Sequence, residues 1–412
     1  MVAYVFSFID RQILSLLIGP IKADLHLSDT QFGLLQGLAF SLFYATMGIP
    51  IASLADRFPR SLIIVAGVAF WSMATMACGL AGSFAALFIA RLGVGAGEAA
   101  LSPATYSLIS DLFPREKLGR ALGIYSMGSF LGSGIAFLVG GSVIGLVSSW
   151  SGITFEGTVI KSWHLVFLIV GVPGILLAGI IALLVHEPRR DGVPPRGHNV
   201  PSTWAVFRFL IERRAIFLPH IFGFSLMAIS LYVILGWAPA YLMRSFGMTP
   251  AECGLRLGAA ALTTGVAGVF ASGWFMDRLA MAGRHAAPFI TGIVGCLGTL
   301  VCVVGLPFTH SANFATVLVA LTLFFASTAM APSTAVMQIV PPPAMRSRVS
   351  SIFLFFNSFI GLTLGSALVG MLNDHVFAAI GSSIGLIVVV ASVLGVLVLA
   401  RGRAPYAAFI TR

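Results

Sequence analysis

The chain has 412 residues, of which 58% are hydrophobic and only 9% are charged, and it carries a formal net charge of +10. Soluble domains carry roughly 25% charged residues, so this chain has too little polar surface to cover a water-soluble body of its size. Apolar stretches recur along the whole chain, and each is long enough to cross a hydrocarbon core of roughly 30 Å. These features exclude a water-soluble protein and predict an all-α polytopic membrane protein.

The sequence predicts twelve transmembrane helices in two sets of six. The spans fall at about 2–21, 30–55, 61–80, 84–109, 118–147 and 163–185, then at about 216–243, 254–276, 286–307, 313–340, 349–372 and 376–400. We therefore expect six-helix bundles at 1–186 and 215–412. Residues 187–214 between them are rich in proline and arginine, which is typical of a linker. Its later part predicts an interfacial helix, with Trp204, Phe207 and Leu210 opposite Arg208 and Arg213.

The basic residues predict the orientation in the membrane. Of 24 Lys and Arg residues, eighteen fall on one side, two lie within spans, and four fall on the other side: Lys22, Lys161, Arg244 and Arg256. The positive-inside rule then places both termini and the linker in the cytoplasm. This bias also accounts for the positive net charge without a nucleic-acid partner. Arg outnumbers Lys 21 to 3, so we expect a bacterial inner-membrane protein. Whether a short N-terminal segment precedes the first helix is left open.

An internal repeat supports the division into two halves. "ASLADRFPR" ends the second span and "GWFMDRLAMAGR" ends the eighth, and their Asp-Arg pairs, Asp56-Arg57 and Asp277-Arg278, are 221 residues apart. Repeated halves are typical of secondary transporters, whose substrate site lies near the midplane between the repeats.

The two sets of six spans, the basic linker and the duplicated Asp-Arg loop resemble the major facilitator superfamily. The superfamily loop reads G-x-x-x-D-R-x-G-R-R. Asp56, Arg57 and Arg60 match it here, whereas Ala52, Pro59 and Ser61 depart from it. The resemblance implies two pseudo-symmetric bundles. It also implies that loops carrying Asp56, Arg57, Arg60, Asp277 and Arg278 gate the cytoplasmic side, the alternative being solvated turns.

A narrower resemblance is to the spinster family. It rests on "FIDRQ" in the first span, "ARLGVGAGEA" in the fourth, "GRALGIYSMGSFLGSGIAFLVGG" in the fifth and "WAPAYLMR" after the seventh. The family implies export of lysophospholipids or sphingoid phosphates in animals.

Four charged residues lie well inside spans, away from the span ends, and all are in the first half: Asp10, Arg11, Arg91 and Glu98. Each would cost about 2.5–3.5 kcal/mol at a helix centre, so each needs a partner or a wet cavity. Asp10 and Arg11 project about 100° apart on a helix. We therefore expect Arg11 to reach Glu98, and Asp10 to reach a cavity water or Arg91. The alternative is a static cluster that only locks helices together.

This cluster predicts proton coupling, because burial favours the protonated form of a carboxylate and a nearby arginine favours the charged form. Either Asp10 or Glu98 is the expected proton carrier, and the arginines are the expected ligands of an anionic head group. Further cavity-lining residues are expected from the polar stripe of the fourth span, the glycine cluster of the fifth and the second half: Ser102, Thr105, Gly132, Ser133, Gly134, Tyr232, Trp237, Phe325, Gln338 and Asn357.

Other classes of function lack their motifs. No lysine follows a glycine, so there is no phosphate-binding GK[ST] loop, and the eight histidines form no HExxH or other ligand pair. We expect no enzyme activity, no metal and no cofactor besides protons. The sequence predicts a monomeric secondary active transporter of amphiphilic lipids. The alternative is a proton-coupled permease or exporter of small organic anions or drugs.

Overall fold

The structure is a computed structural model, and it describes residues 1–113, 115–148, 153–155, 158–185, 187, 203–342 and 345–411. At 52–53, 55–57, 115–123 and a few further positions it describes the backbone alone. The chain forms two compact units. The first comprises Met1–Val193 and Pro239–Leu262, and the second comprises Pro194–Ala238 and Thr263–Arg412. The bundle boundaries predicted at 186 and 215 stay a prediction, and most of the linker, 188–202, lies outside the described residues.

The first half of the chain contains nine described helices and a hairpin. The helices are α1 Val2–Leu16, α2 Ile18–Leu25, α3 Asp29–Gln36, α4 Leu38–Arg57, α5 Arg60–Cys78, α6 Phe84–Glu98, α7 Leu101–Leu112, α8 Arg115–Ser148 and α9 Ser162–Leu184. The hairpin pairs strand β1 Ile153–Phe155 with strand β2 Thr158–Ile160.

The second half begins with α10 Thr203–Glu212. It continues with α11 Arg214–Phe246, α12 Pro250–Ala260, α13 Val266–Met281, α14 Ala287–Val303, α15 Ala312–Ser327, α16 Met330–Ile339, α17 Arg346–Phe356, α18 Gly365–Leu372 and α19 Ile380–Ile410. π-Helical segments join three pairs of these helices, at Ala261–Gly265, Asn357–Leu364 and Asn373–Phe377, and Leu306–Phe308 is a 3₁₀ turn.

The helices account for the predicted spans. Among the described residues, ten helical segments are long and apolar enough to cross a membrane, and the pair α1 and α2, bent by 59°, adds an eleventh. The remaining predicted span, 30–55, coincides with α3 and α4, which include side chains outside the described part. The architecture is consistent with the twelve-helix prediction.

Proline explains why two spans are each built from two helices. The fourth span breaks between α6 and α7, and the tenth breaks between α15 and α16. Pro103 and Pro332 each follow a break, and a proline cannot donate a hydrogen bond to the carbonyl four residues earlier. Those carbonyls belong to Ala99 and Thr328, the C-cap residues that directly follow α6 and α15.

Matching caps begin the second and eighth spans. Ser28 caps α3 with a reciprocal bond from Gln31, and Thr249 caps α12 with a reciprocal bond from Glu252. Both are capping boxes, which satisfy two otherwise unpaired backbone N–H groups. The two boxes are 221 residues apart, which is the same interval that separates the two Asp-Arg pairs. The sequence repeat is therefore also a repeat of local structure.

The hairpin is the one departure from helix among the described elements. It pairs antiparallel, with Ile153 opposite Ile160 and Phe155 opposite Thr158. This stretch lies between the predicted fifth and sixth spans, and its β-branched and aromatic residues favour strands.

Each unit has its own buried core. In the first unit, α1 to α4 bury Ile13, Leu14, Leu16, Phe32 and Leu35 almost completely. In the second, α10 packs Val206 and Leu210 into a core with residues that include Phe217, Phe224 and Phe289. The helix predicted in the later part of the linker is α10, and its position at the membrane interface stays a prediction. Leu210 belongs to the core, and the outward apolar residues are Trp204, Phe207 and Ile211. All four cysteines, Cys78, Cys253, Cys296 and Cys302, are free and buried.

Candidate functional site

A buried ion pair joins the first and fourth spans. Arg11 on α1 donates from Nε to Glu98 Oε2 at 2.7 Å, and Arg11 Nη2 lies 2.5 Å from the same oxygen. The Glu98 side chain, at the end of α6, is completely buried, while that of Arg11 is 12% exposed. The predicted pairing of Arg11 with Glu98 is confirmed. The other carboxylate oxygen, Oε1, has no hydrogen-bond partner among the described residues.

Three aromatic rings surround the Arg11 guanidinium. Its carbon lies 4.7 Å from the ring centroid of Phe8, 4.5 Å from that of Phe40 and 4.7 Å from that of Tyr44. Each distance is within range of a cation–π interaction. Arg11 is therefore held by a carboxylate on one side and by ring faces on the others. We call Arg11, Glu98 and these three rings the arginine box.

Arg91 contacts backbone carbonyls of two helices. It donates from Nη1 to the backbone carbonyl of Asp10 at 3.3 Å and from Nε to the carbonyl of Leu35 at 3.5 Å. Arg91 contacts Asp10 through the backbone carbonyl, and no ion pair with the Asp10 carboxylate is present in the described structure. The expectation that the Asp10 side chain reaches either a cavity water or Arg91 stays a prediction. Neutral carbonyls of α1 and α3 hold this cation.

The four intramembrane charges are thus brought together in one region of the first unit and are net neutral. Asp10, Arg91 and Glu98 are nearly inaccessible, and only Arg11 is partly exposed. Glu98 can accept a proton on its unpartnered oxygen without losing another hydrogen bond. Protonation would remove the charge that holds Arg11 and leave the guanidinium free for another anion.

The polar residues on one face of the fourth span continue past the charge cluster into α7. Ser102 Oγ lies 3.4 Å from the hydroxyl of Tyr125, and Thr105 is half-buried one turn further along α7. Tyr125 stacks on Tyr4 with 4.6 Å between ring centroids, and Tyr106 meets it edge-on at 5.3 Å. The predicted polar stripe therefore runs along a group of tyrosines.

The glycine cluster of α8 lies at helix contacts. A Cβ on Gly132 would come within 2.7 Å of Phe8 Cβ and of the Val5 carbonyl oxygen on α1. A Cβ on Gly134 would come within 2.4 Å of Leu262 Cγ and 3.2 Å of the Gly258 carbonyl oxygen. Between them, Ser133 is buried and donates to the Ser129 carbonyl at 2.9 Å.

The candidate gating residues are in different environments. Arg60 is buried at the start of α5 and donates to Asp111 Oδ2 at 2.5 Å, to Glu187 Oε1 at 2.7 Å and to Ser107. The side chains of Asp56 and Arg57 lie outside the described residues. Asp277 is exposed, and Arg278 stacks on Trp274 with 4.9 Å to the ring centroid.

Glu187 lies just beyond α9 and is one of two carboxylates that bind Arg60, the other being Asp111. Partial burial acts to raise the pKa of the Glu187 carboxyl, but hydrogen bonds from the Ser61 backbone N–H and from Arg60 outweigh it. The net effect lowers the pKa below its ordinary value, so Glu187 stays charged and paired at neutral pH. Sequence analysis missed this partner.

The expected lining residues of the second half lie apart from the charge cluster in the sequence and are described within their own unit. Trp237 is buried, Tyr232 is half-buried beside Gly361, and Phe325 packs over Gly298. Gln338 is exposed on α16, and Asn357 begins the π-helix that follows α17. Such π segments frequently occur at functional sites.

The comparison with protein families decides the assignment. A model of the Major Facilitator Superfamily matches residues 1–366. The chain belongs to the major facilitator superfamily. It is therefore a multi-pass integral membrane transporter and not an enzyme. Among the described residues, no group of three or more His, Cys, Asp or Glu side chains could hold a metal ion.

Known relatives narrow the position within the superfamily. An "MFS-type efflux pump" of Mycolicibacterium smegmatis is 32% identical over 379 residues, covering 91% of this chain and 83% of the relative. A "Probable L-galactonate transporter" of Escherichia coli is 25% identical over 387 residues, covering 90% of this chain and 81% of the relative. The crystal structure of a bacterial homologue of the human lysosomal transporter spinster, in an inward-facing and unoccupied conformation, matches with a TM-score of 0.80 at 30% identity. The match covers 99% of this chain and 94% of that one, so this superfamily member is spinster-like.

Sequence analysis of this superfamily member missed the aromatic part of the arginine box. Phe8 and Arg11 are three residues apart on α1, and Phe40 and Tyr44 are four apart on α4, so each pair shares a helix face. An aromatic residue three positions from an arginine in a membrane helix would have predicted a cation–π contact between Phe8 and Arg11. The contribution of α4 required knowledge of which helices are neighbours.

Proposed function

We propose that this spinster-like protein is a secondary active transporter that works by alternating access, moves an amphiphilic lipid of the lysophospholipid or sphingoid-phosphate class, and couples this movement to protons. The observation that carries the proposal is the arginine box. It pairs a fully buried carboxylate with the one intramembrane arginine that retains exposed surface.

Proton coupling is supported by the two different oxygens of Glu98. One oxygen binds Arg11, and the other has no partner in the described structure. A proton on Glu98 would weaken its hold on Arg11, and the arginine would then bind an anionic group of the substrate. Release of the proton would restore the pair and expel that group. Asp10 is the second candidate carrier, since its carboxylate is buried nearby without an ion pair among the described residues.

The lipid assignment is supported by the surroundings of Arg11. Three aromatic rings flank its guanidinium. The second six predicted spans contain a single Asp, Glu, Lys or Arg, which is Arg256, two residues from the start of its span. A phosphate next to an arginine, followed by an apolar chain among apolar side chains, matches this distribution of charge. The likeness to a spinster homologue supports the same class.

The proposal is tested with purified protein in proteoliposomes, by measuring the movement of labelled lysophospholipid with and without a pH gradient. We expect the gradient to stimulate movement in the wild type. Glu98→Gln should abolish that stimulation, because an amide cannot exchange a proton. Glu212→Gln is the matched control, since Glu212 is exposed and its partner Arg208 lies on the same helix.

Undiminished proton dependence in Glu98→Gln would overturn the assignment of this residue as carrier, and Asp10→Asn would then be tested in the same assay. No gradient-stimulated movement of any lysolipid, together with movement of a small anion, would overturn the lipid assignment.

A second candidate is the proton-coupled transport of small organic anions or drugs. It is favoured by the relatives named as an efflux pump and as a sugar-acid transporter. Arg11 suits a carboxylate as well as it suits a phosphate. Competition between a labelled lysolipid and gluconate-type acids separates the two candidates.

We further propose a monomer in the bacterial inner membrane, with both termini in the cytoplasm and no cofactor besides the coupling proton. Arg60, with Asp56, Arg57, Asp277 and Arg278, is proposed to gate the cytoplasmic side. The buried bonds of Arg60 to α7 and to Glu187 support a role in holding helix ends together.

A further inference from the structure

A groove on the second unit is not used by the proposed transport mechanism. It has a volume of about 490 Å³ and lies between the start of α11 and the later part of α19. Its floor is apolar, with Leu218, Phe222 and Val398, and Arg214 and Arg401 lie at its rim. Leu218 and Phe222 are 49% and 41% exposed, so the groove is open to its surroundings.

Within the described part of the chain, neither arginine of the groove forms an ion pair with an acidic residue. Neither takes part in a side-chain hydrogen bond, an ion pair or a ring contact with the described residues, and both are exposed. The other arginines of this region differ. Arg208 is paired with Glu212, and Arg213 lies between the rings of Phe209 and Phe409. The groove therefore has a concentration of unbalanced positive charge at one end.

The two arginines are the only charged side chains among the described residues that line the groove. Pro219 and Pro405 also line the groove and cannot donate backbone hydrogen bonds. The charged end thus has anion-binding character, and the walls beyond it are apolar.

The residues that precede the groove in the sequence predict that it lies at the depth of the lipid head groups. Helix α10 ends two residues before Arg214, and it exposes Trp204, Phe207 and Ile211 on one face. Trp204 is 74% exposed, and tryptophan is enriched at membrane–water interfaces. Leu218 and Phe222 follow Arg214 along α11 at intervals of four residues, so the apolar floor runs away from the interface along the helix axis.

We propose that this groove binds an anionic phospholipid of the surrounding membrane, with its phosphate between Arg214 and Arg401 and an acyl chain along Leu218, Phe222 and Val398. Basic pockets between transmembrane helices are suited to such head groups, whereas a zwitterionic lipid gains less from two unpaired cations. The apolar floor distinguishes a lipid from a soluble phosphate, which would use the arginines alone.

The test is native mass spectrometry of the full-length protein, titrated with phosphatidylglycerol or phosphatidylcholine of the same chain length. We expect wild type to retain phosphatidylglycerol preferentially. The double variant R214Q/R401Q should bind it about tenfold or more weakly, since each arginine near a membrane surface contributes about 1 kcal/mol with anionic lipid. The matched control is Arg403→Gln, because Arg403 is exposed on the same helix but does not line the groove.

A further variant and a competition experiment test the proposal if the double variant is unstable. Leu218→Trp fills the groove but retains both arginines, and we expect it also to lose bound phosphatidylglycerol. Glycerophosphoglycerol, which has the head group without acyl chains, should not displace the lipid. Equal retention of the two lipids, unchanged binding in both variants, or displacement by the free head group would each overturn the proposal.

Discussion

Arg11 shows how a membrane protein can stabilise a cation within a transmembrane helix while its side chain stays partly exposed. A carboxylate neutralises its charge, and three ring faces replace much of the water that it would otherwise hold. The planar guanidinium can lie against a ring while it donates in its own plane. A lysine would keep the charge but could not make both kinds of contact at once.

Arg11→Lys should therefore reduce transport by roughly tenfold, since a cation–π contact in a desolvated site is worth about 1–2 kcal/mol. The measurement is the initial rate of lysolipid movement in proteoliposomes, with the thermal midpoint recorded in parallel. Arg403→Lys, at an exposed position, is expected to behave as wild type. Full activity of Arg11→Lys would contradict a role for the planar group.

Asp29 is a second buried carboxylate, and it lies outside the predicted spans. Its side chain is 3% exposed and accepts hydrogen bonds of 2.7 and 2.9 Å from the two terminal nitrogens of Arg244, as well as a bond from Lys22. Burial acts to raise the pKa of Asp29, but these cations outweigh it, and the net effect is a lowered pKa.

This lowered pKa predicts a pH dependence of stability. The stabilisation from Asp29 is fully present above about pH 4, the ordinary value for aspartate, and is lost as the pH falls through the lowered pKa. Asp29→Asn should lower the free energy of unfolding by about 1–3 kcal/mol at neutral pH. Stability of this variant should also fall less steeply than that of the wild type as the pH decreases below about 4. Thermal unfolding from pH 7 to pH 3 tests this, with Glu212→Gln as control. An equally steep fall in Asp29→Asn and in the wild type would contradict it.

At the scale of elements, close helix contacts depend on glycines. Gly95 lies where α6 meets α4, and a Cβ there would come within 2.1 Å of the Phe40 carbonyl oxygen. Because that atom belongs to the backbone, it cannot move as a flexible side chain would. Gly179 on α9 offers the opposite case, since a Cβ there would meet nothing within 4 Å.

Gly95→Ala should therefore destabilise the protein by about 1–3 kcal/mol, through overpacking of two helices. Gly179→Ala should be neutral or stabilise it by up to about 1 kcal/mol, because alanine is the better helix former. Thermal midpoints of the two purified variants give the comparison. Equal midpoints would show that α4 and α6 can separate without cost.

The helices were predictable from sequence because spans of about 20 apolar residues have few alternatives in a chain with so little charge. The breaks at Ala99 and Thr328 were also within reach, since Pro103 and Pro332 are visible in the sequence. The spacing of Arg91 and Glu98 placed both residues on one face of the fourth span, but spacing cannot predict which atoms each side chain contacts. Arg91 therefore turned out to bind the Asp10 carbonyl, and Glu187 was missed as the partner of Arg60 because 127 residues separate them.

At the scale of the whole molecule, most basic residues on the side predicted to face outwards are paired with acidic residues. Three of the four basic residues on the side predicted to face outwards are paired with aspartates: Lys22 and Arg244 with Asp29, and Lys161 with Asp24. The orientation remains a prediction from the count of Lys and Arg on each side, because acidic residues contribute little to the positive-inside bias.

A reporter fused after Arg412 should accordingly lie in the cytoplasm. We expect a C-terminal green fluorescent protein to fluoresce and a C-terminal alkaline phosphatase to be inactive in a bacterial host. Alkaline phosphatase inserted at the hairpin, between β1 and β2, should be active instead. The reverse pattern would contradict the orientation.

The burial of all four thiols has a practical consequence. Maleimide and spin-label reagents need an accessible thiolate, so the native cysteines should remain unmodified in the folded protein. Single cysteines introduced at exposed positions, such as Leu183 on α9 or Met281 on α13, can then be labelled in the otherwise wild-type chain. Distances between such labels would follow the transport cycle without the repacking cost of a cysteine-free background.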